Sequence, residues 1–386
     1  LEYGGKLSGR AGPWTLGALT IKQDEFGNVE ATDLFTGRAS LNVLQESSLG
    51  VIMTNGDPRS NLDNSVLGVD FNYLNTRMPN NRTIQGSAWY QKSDTEGLVG
   101  DDASWGLRFI LPNPSTRGWK FNVAFKEIQE HFNPAQGFVN RAGIRDYAAE
   151  IGWLQRYPQG NPLRFIFSNF GLQRVESIAG DLQSEVLNAR FFSFSTNSGD
   201  SLRFLYTGTR EILDEPFTIW DPDPSSGGVP VTIPAGEYSF DDIGIQFSSF
   251  SSRRLSGDLT YRTGDFFGGT KDNIVAQMTW TPTEHWRIFW SYTYNDIDLP
   301  EGNFDLRLAG LGLDFVFSNT LSWVNLLQYD NNSETISINS RLHWIPQAGR
   351  EAFIVLNHNL QDLNRNNSFH STLTDLSLKF SYTYRF

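Results

Sequence analysis

The chain contains 386 residues, carries a formal net charge of −12 and has no cysteine. These values exclude disulfides and thiolate metal sites and argue against a nucleic-acid-binding protein, and no apolar run approaches the roughly 18 to 20 residues that a transmembrane helix needs. Aromatic residues make up 14% of the chain, and no Pro/Ser-rich linker divides it, so we expect one domain.

Apolar and polar residues alternate with period two along the first 153 residues, which predicts short β-strands with one apolar and one polar face. The clearest segment covers residues 119–126, where Lys120, Asn122 and Lys126 lie between apolar residues. The predicted apolar rows are Trp14/Leu16/Ala18, Ala39/Leu41/Val43, Leu49/Val51/Met53, Leu67/Val69/Phe71/Tyr73, Ile84/Gly86/Ala88/Tyr90, Trp105/Leu107/Phe109/Leu111, Trp119/Phe121/Val123/Phe125 and Tyr147/Ala149/Ile151/Trp153.

The alternation is ambiguous in residues 163–196, where aromatic residues occupy both phases, and the two faces stay unassigned there. It returns in the rows Leu202/Phe204/Tyr206, Ile243/Ile245/Phe247, Leu255/Gly257/Leu259/Tyr261, Ile274/Ala276/Met278/Trp280, Trp286/Ile288/Trp290/Tyr292/Tyr294 and Ile336/Ile338/Ser340/Leu342/Trp344. In residues 306–317 the phase changes at Ala309-Gly310, which predicts a β-bulge.

The last segment, residues 376–386, shows the pattern most fully. One side of an extended chain carries Leu376, Leu378, Phe380, Tyr382, Tyr384 and Phe386, and the other carries Ser377, Lys379, Ser381, Thr383 and Arg385. An aromatic-rich apolar face backed by a polar face with cations is typical of a strand between lipid and water. We therefore predict an all-β protein, a transmembrane antiparallel β-barrel in the outer membrane of a Gram-negative bacterium. Its expected partners are the lipid bilayer, lipopolysaccharide and the barrel-assembly machinery, with Phe386 as the assembly signal.

The connections alternate in length, which predicts the topology. Short turns are predicted near Gly12-Pro13, Ser47-Ser48, Pro79, Pro114 and Pro158, and longer links cover residues 23–33, 93–102, 130–145, 215–237 and 362–370. Short turns would face the periplasm and long loops the outside. This scheme gives about 21 strands, and because the first and last would run in the same direction, an even antiparallel barrel predicts one more strand upstream of Leu1, about 22 in all. No signal peptide begins at Leu1, so we expect a mature chain or a fragment.

One long link carries a motif as well as polar residues. It contains His131-Phe132-Asn133-Pro134, followed by Gly137-Phe138-Val139 and Arg141, and further segments of interest are Gly5-Lys6-Leu7-Ser8-Gly9-Arg10, Gly236-Glu237-Tyr238-Ser239-Phe240-Asp241, Gly264-Asp265-Phe266-Phe267-Gly268-Gly269 and Leu299-Pro300-Glu301-Gly302 with Phe304. In order and spacing, over most of the chain, these segments resemble a bacterial outer-membrane β-barrel family of unknown function. Longer members of that family carry a periplasmic domain similar to a family 9 carbohydrate-binding module, which this sequence does not contain. The resemblance implies a barrel and supplies no catalytic residues.

Ten basic residues lie on the predicted polar faces and are candidates to face a lumen. They are Arg38, Arg108, Lys120, Lys126, Arg203, Arg262, Arg287, Arg341, Lys379 and Arg385. Few acids share these faces, among them Asp70, Glu150 and Asp258, so the wall would be cationic and would favour anions. The alternatives are that the cations pair with acids of the lumen, hydrogen-bond a plug, or lie at the rims.

The link of residues 215–237 is rich in Pro, Gly and Asp and is long enough to fold inward as a constriction. Asp221 and Asp223, with Ser225 and Gly227, superficially resemble a calcium loop. Prolines occupy the alternating positions and no glutamate closes the loop, so solvated carboxylates are the preferred interpretation.

The five histidines form no evident catalytic group. His131, His358 and His370 belong to loops or their margins, His285 lies at a short turn and His343 lies on a polar strand face. No nucleophile elbow, H-E-x-x-H helix or phosphate loop is present. We therefore expect no enzyme, no cofactor and no metal.

These observations favour a channel or transport pore through which small solutes pass along a polar, Arg/Lys-rich wall, because a barrel this wide encloses more lumen than its own side chains fill. The alternative is a scaffold barrel that houses or anchors a partner protein, such as a secretion or surface-assembly component. A third possibility is a surface binder that displays its long loops.

Overall fold

The structure is a computed structural model that describes residues 1–112, 117–222, 228–363, 365–366 and 368–383. Within these residues the chain forms 23 β-strands, one short 3-10 helix (Pro79–Asn81) and no α-helix. The strands are β1 (Tyr3–Ala11), β2 (Trp14–Gln23), β3 (Thr32–Val43), β4 (Ser47–Asn55), β5 (Asn64–Met78), β6 (Arg82–Thr95), β7 (Ala103–Leu111), β8 (Arg117–Ile128), β9 (Ile144–Arg156), β10 (Leu163–Ser177), β11 (Leu182–Thr196), β12 (Ser201–Leu213), β13 (Phe217–Trp220), β14 (Val231–Ile233), β15 (Gly236–Ser248), β16 (Leu255–Phe266), β17 (Gly269–Thr283), β18 (Trp286–Leu299), β19 (Gly302–Ser318), β20 (Leu321–Asp330), β21 (Thr335–Gln347), β22 (Arg350–Gln361) and β23 (His370–Tyr382).

Twenty-one of the described strands belong to one sheet, and β13 and β14 form a separate hairpin. Antiparallel ladders join β1 to β9 in sequence order, β12 to β15, and β15 to β23 again in order. The prediction of an all-β chain built on about 20 to 22 antiparallel strands is therefore confirmed. The hairpin is an addition, since the sequence predicts only a loop there.

The first compact unit comprises Leu1–Arg156 and Phe167–Ala189. Its register brings the predicted apolar rows onto one face, since Val51 pairs with Ala39 on one side and Val69 on the other. Most of the large apolar side chains on this face are exposed. The predicted alternation is confirmed here, and it produces an apolar face in contact with solvent rather than a core.

The second compact unit comprises Tyr157–Ile166 and Arg190–Phe386. Its ladders align the apolar rows in the same way, since Ile354 pairs with Leu342 and Leu378. Leu378 is 75% exposed, which is far above the exposure of a core leucine. The apolar rows of this unit are therefore also arranged as a surface.

The predicted β-bulge at Ala309-Gly310 is wrong. β19 pairs with β18 without a register shift, and its ladder with β20 shifts only between Val316 and Ser318. Along β19 the apolar residues move from one face of the sheet to the other because the neighbours on each face differ between the two ends of the strand. Phe304 and Leu306 pack against the hairpin β13–β14, on the face opposite the aromatic row of β18, whereas the later odd-numbered residues of β19 join that aromatic row.

The predicted turn at Ser47-Ser48 is displaced. The turn comprises residues 44–46, where Leu44 adopts a left-handed φ of 54°, and both serines belong to β4. The Ser47 hydroxyl accepts a hydrogen bond from the backbone N–H of Leu74 at 3.2 Å, which holds it in the sheet. The predicted turn at Pro114 lies outside the described residues.

The faces that the sequence leaves unassigned are settled for part of β10. The Asn169 amide donates to Glu150 at 3.0 Å, and the Gln173 amide donates to Asp146 at 3.1 Å. Both acids lie on the polar face of β9, so the odd-numbered residues of β10 share that face. Phe170 therefore belongs to the exposed apolar face.

Candidate functional site

The polar face of the first unit carries an ion pair that spans an intervening strand. Arg38 on β3 donates to both carboxylate oxygens of Asp70 on β5, at 2.9 Å for one of them. The two side chains meet above Gly50 of β4, where an added Cβ would lie 2.7 Å from a carboxylate oxygen. Asn72 donates to the same carboxylate at 2.8 Å. Because Gly50 has no side chain, it leaves the space in which the Arg38–Asp70 ion pair forms.

Two further ion pairs link β8 to β9 on this face. Lys120 lies 2.8 Å from Glu150, and Lys126 lies 3.0 Å from Asp146. In each pair the carboxylate is only slightly exposed, so it gains more from its lysine than a carboxylate in open solvent would. The two pairs compensate charge along the length of these strands.

The second unit repeats this arrangement. Arg262 donates to Asp242 through Nε at 2.6 Å and to the Thr207 hydroxyl through Nη2 at 2.6 Å. Arg287 lies 3.0 Å from Asp314 on the neighbouring strand. These two arginines of the polar face thus hold a carboxylate.

By register, the nine described candidates from the sequence all lie on the polar face. They fall into three groups: Arg38, Lys120, Lys126, Arg262 and Arg287 have a carboxylate partner; Arg108 and Arg203 donate to Asn122 at 3.0 Å and Gln246 at 2.8 Å; Arg341 and Lys379 have no partner among the described residues. The tenth candidate, Arg385, and the predicted assembly signal, Phe386, lie outside the described residues. A carboxylate therefore compensates the charge of five of these nine cations, as in one of the alternatives that the sequence leaves open, and the charges of the other four are not compensated.

The link between β8 and β9, residues 129–143, folds back onto the polar face of the first unit; we name it the crossing segment. The buried Asn64 amide donates to the carbonyl of Asn133 at 2.9 Å, and the buried Ser93 hydroxyl accepts from the N–H of Asn133 at 3.1 Å. Phe132 of the crossing segment is buried. Through these contacts the motif Phe132-Asn133-Pro134 holds the crossing segment on β5 and β6.

A cavity of about 670 Å³ is formed by the crossing segment and the polar face. The indole of Trp89 on β6 lies against Gly106 of β7, where an added Cβ would lie 2.9 Å from the ring. Phe138 of the crossing segment also lines the cavity. Trp89 is not among the residues predicted from the sequence, although a signal was present: it falls in the polar phase of a strand whose apolar row contains Ala88 and Tyr90.

The hairpin β13–β14, which lies between β12 and β15 in the chain, packs on the sheet of the second unit. Val231 and Ile233 of the hairpin β13–β14 are buried against Phe304. Trp220 stacks on Phe304 with ring centroids 5.3 Å apart and donates from Nε1 to Asn332 at 3.0 Å. The hairpin therefore lies on the face opposite the aromatic row. Asp223, Ser225 and Gly227 of the calcium-like pattern lie outside the described residues.

The histidines are dispersed. His131 contacts the carbonyl of Gly100 at 2.9 Å, and His343 contacts Glu351 at 3.2 Å. His358 lies within β22 rather than in a loop, and it contacts a threonine hydroxyl. In the part of the chain that the structure describes, no group of three His, Asp or Glu side chains is arranged to hold a metal ion. Nor do the described residues include a helix with the length and apolar character needed to span a membrane.

A scan of the chain against protein-family models gives no match, and a search of curated proteins gives none either. The resemblance to the outer-membrane family therefore stays a prediction, and the site is interpreted from its own geometry.

Proposed function

We propose that the sheet closes into a β-barrel in the outer membrane of a Gram-negative bacterium and forms a passive pore for small solutes. The observation that carries this proposal is the contrast between the two faces of the strand ladders. One face of the ladders is apolar, aromatic-rich and exposed, and the other holds ion pairs. Apolar surface of this extent is unfavourable in water but required in lipid, where backbone polar groups must also be paired within the sheet.

The polar face would line the lumen, and the crossing segment and the hairpin β13–β14 would narrow it. Both segments pack on the polar face of their own unit. Since five of the nine described wall cations hold a carboxylate, any preference for anions would rest chiefly on the four that do not, which are Arg108, Arg203, Arg341 and Lys379. A wall with such uncompensated cations lowers the barrier for anions.

The partners that this proposal implies are a lipid bilayer bearing lipopolysaccharide, and the barrel-assembly machinery acting on the terminal residue Phe386. We propose no cofactor and no enzymatic reaction.

The test is reconstitution of the full chain in planar bilayers. We expect discrete conductance steps and, in a salt gradient, a reversal potential that indicates anion preference. Replacing Arg341 and Lys379 with glutamine should reduce that preference, whereas replacing Arg350, whose register position is on the apolar face, should leave it unchanged. A chain that remains a monomer in water without detergent, or inserts without conductance, would refute the pore.

A second candidate function is a scaffold for a partner protein. It is favoured by apolar side chains on the long links of the first unit, where Phe26 is 84% and Val99 is 90% exposed. Exposed apolar residues at loop tips are typical of docking surfaces. A stoichiometric complex that is lost on Phe26→Ser and Val99→Ser, together with an absence of conductance, would favour the scaffold over the pore.

A further inference from the structure

We propose that the cavity beneath the crossing segment is a binding site for a neutral saccharide. Its volume of about 670 Å³ lies within the range of roughly 300 to 1,000 Å³ of small-molecule sites. The crossing segment that closes it is fixed by buried hydrogen bonds to Asn64 and Ser93, so the cavity is formed before any ligand arrives. A preformed cavity binds with a smaller loss of conformational entropy.

Two aromatic residues supply apolar surface to the cavity. Trp89 is held against Gly106, which has no Cβ to displace the indole, and the same tryptophan lines the cavity. Phe138 also lines it and is 81% exposed, so its ring is left largely without a packing partner. An aromatic ring can pack against the C–H face of a sugar ring. That face is apolar, although the sugar as a whole is highly soluble in water.

Three of the polar groups that line the cavity are unused. The indole N–H of Trp89, the hydroxyl of Ser87 and the side-chain amide of Gln91 line the cavity, and within the described residues none of them makes a hydrogen bond. They can both donate and accept, which is what a ring bearing several hydroxyl groups requires. An apolar ligand would leave these groups unpaired, at a cost that disfavours it.

The charges around the cavity exclude a strongly charged ligand. Its charged lining residues are Asp70 and Lys126, and these already form ion pairs with Arg38 and Asp146. A charged ligand would therefore have to break an existing pair to find a counter-charge. A neutral, hydroxyl-bearing ring is the ligand whose chemistry matches the free groups.

The experiment is calorimetric titration of maltotriose into the full chain, purified in a detergent without a sugar headgroup. We expect saturable binding that Trp89→Ala and Phe138→Ala each weaken about tenfold, in line with the loss of one ring contact. Tyr90→Ala is the matched control, because Tyr90 adjoins Trp89 but lies on the apolar face. Trigalacturonate, a charged trimer, should bind more weakly than maltotriose.

The proposal is overturned if maltotriose gives no saturable heat, if Phe138→Ala leaves the affinity unchanged, or if the charged trimer binds more tightly. Phe138 is exposed, so its variant keeps the test decisive should Trp89→Ala fail to fold. The titration needs no membrane. A failure of saccharide binding is therefore distinguishable from a failure of the proposed pore.

Discussion

Ile354 and Val355 are neighbours on β22 that test which face meets lipid. Ile354 lies on the apolar face between Leu342 and Leu378, and Val355 lies on the polar face beside Arg341. The two side chains are similar in size and share one backbone. Replacing each with arginine therefore changes only the face on which a charge is placed.

The expected magnitude follows from the position of Ile354 in the apolar row. Its partner Leu378 is four residues from Tyr382, the last described aromatic of that row, which is about 13 Å along the strand at roughly 3.3 Å per residue. With a tilt of about 40°, this becomes about 10 Å of depth in a band about 25 Å tall, close to its middle. Ile354→Arg should then cost about 2 to 4 kcal/mol. Val355→Arg would face water and should cost less than about 1 kcal/mol, mainly from repulsion by Arg341.

The assay is folding into lipid vesicles, followed by urea titration of both variants and the parent chain, with tryptophan fluorescence as the signal. The free energy of unfolding of the two variants should differ by at least about 1 kcal/mol. Equal costs, or a larger cost for Val355→Arg, would show that the apolar face does not contact lipid and would remove the basis of the pore proposal.

Three further outcomes follow from contacts elsewhere. Gly50→Ala should destabilise the chain by about 1 to 3 kcal/mol in urea titration because its Cβ enters the space of the Asp70 carboxylate, whereas Gly17→Ala, with open space around it, should not. Ile233 is fully buried, so Ile233→Ala should lower the free energy of unfolding by about 2 to 5 kcal/mol. Amide hydrogen exchange should become faster in the hairpin β13–β14 than in the sheet. An equal increase in exchange in both would contradict a locally packed hairpin. Asp200 lies in a turn, and hydrogen bonds, chiefly from Arg253, lower the pKa of its carboxyl group. The ionised carboxylate therefore stabilises the folded chain above pH about 4, and this contribution is lost as pH falls through the lowered pKa. Asp200→Asn should flatten melting temperature against pH in that acidic range, and an unchanged profile would rule out this contribution.

The sequence predicts the strands well because each predicted row obeys one local rule. In β8, lysine and asparagine alternate with aromatic residues, and the register places them on opposite faces as expected. The rule fails in β19, where Phe304 and Leu306 are apolar for a different reason: they contact the hairpin β13–β14. A period-two pattern shows that the apolar residues of a strand move to the other face. It does not show whether a β-bulge or a different packing partner is the cause.

The charged residues show the same limit. Arg38, Lys120 and Lys126 are recognisable from sequence as cations of the polar face, but their partners Asp70, Glu150 and Asp146 lie 20 to 32 positions away. No local pattern specifies such pairs, so the ion pairs that partly compensate this cationic face become visible only in the structure.

The sequence by itself determined that the chain is all-β, that its strands have an apolar and a polar face and, outside residues 163–196 and β19, which residues lie on each face, because side-chain alternation is a property of the extended backbone. Only the tertiary structure decided what covers those faces. The crossing segment lies over the polar residues, the hairpin β13–β14 packs on Phe304, and Trp89 borders a cavity. These arrangements depend on contacts between residues far apart in the chain, which are set by packing and hydrogen bonding once the strands have paired.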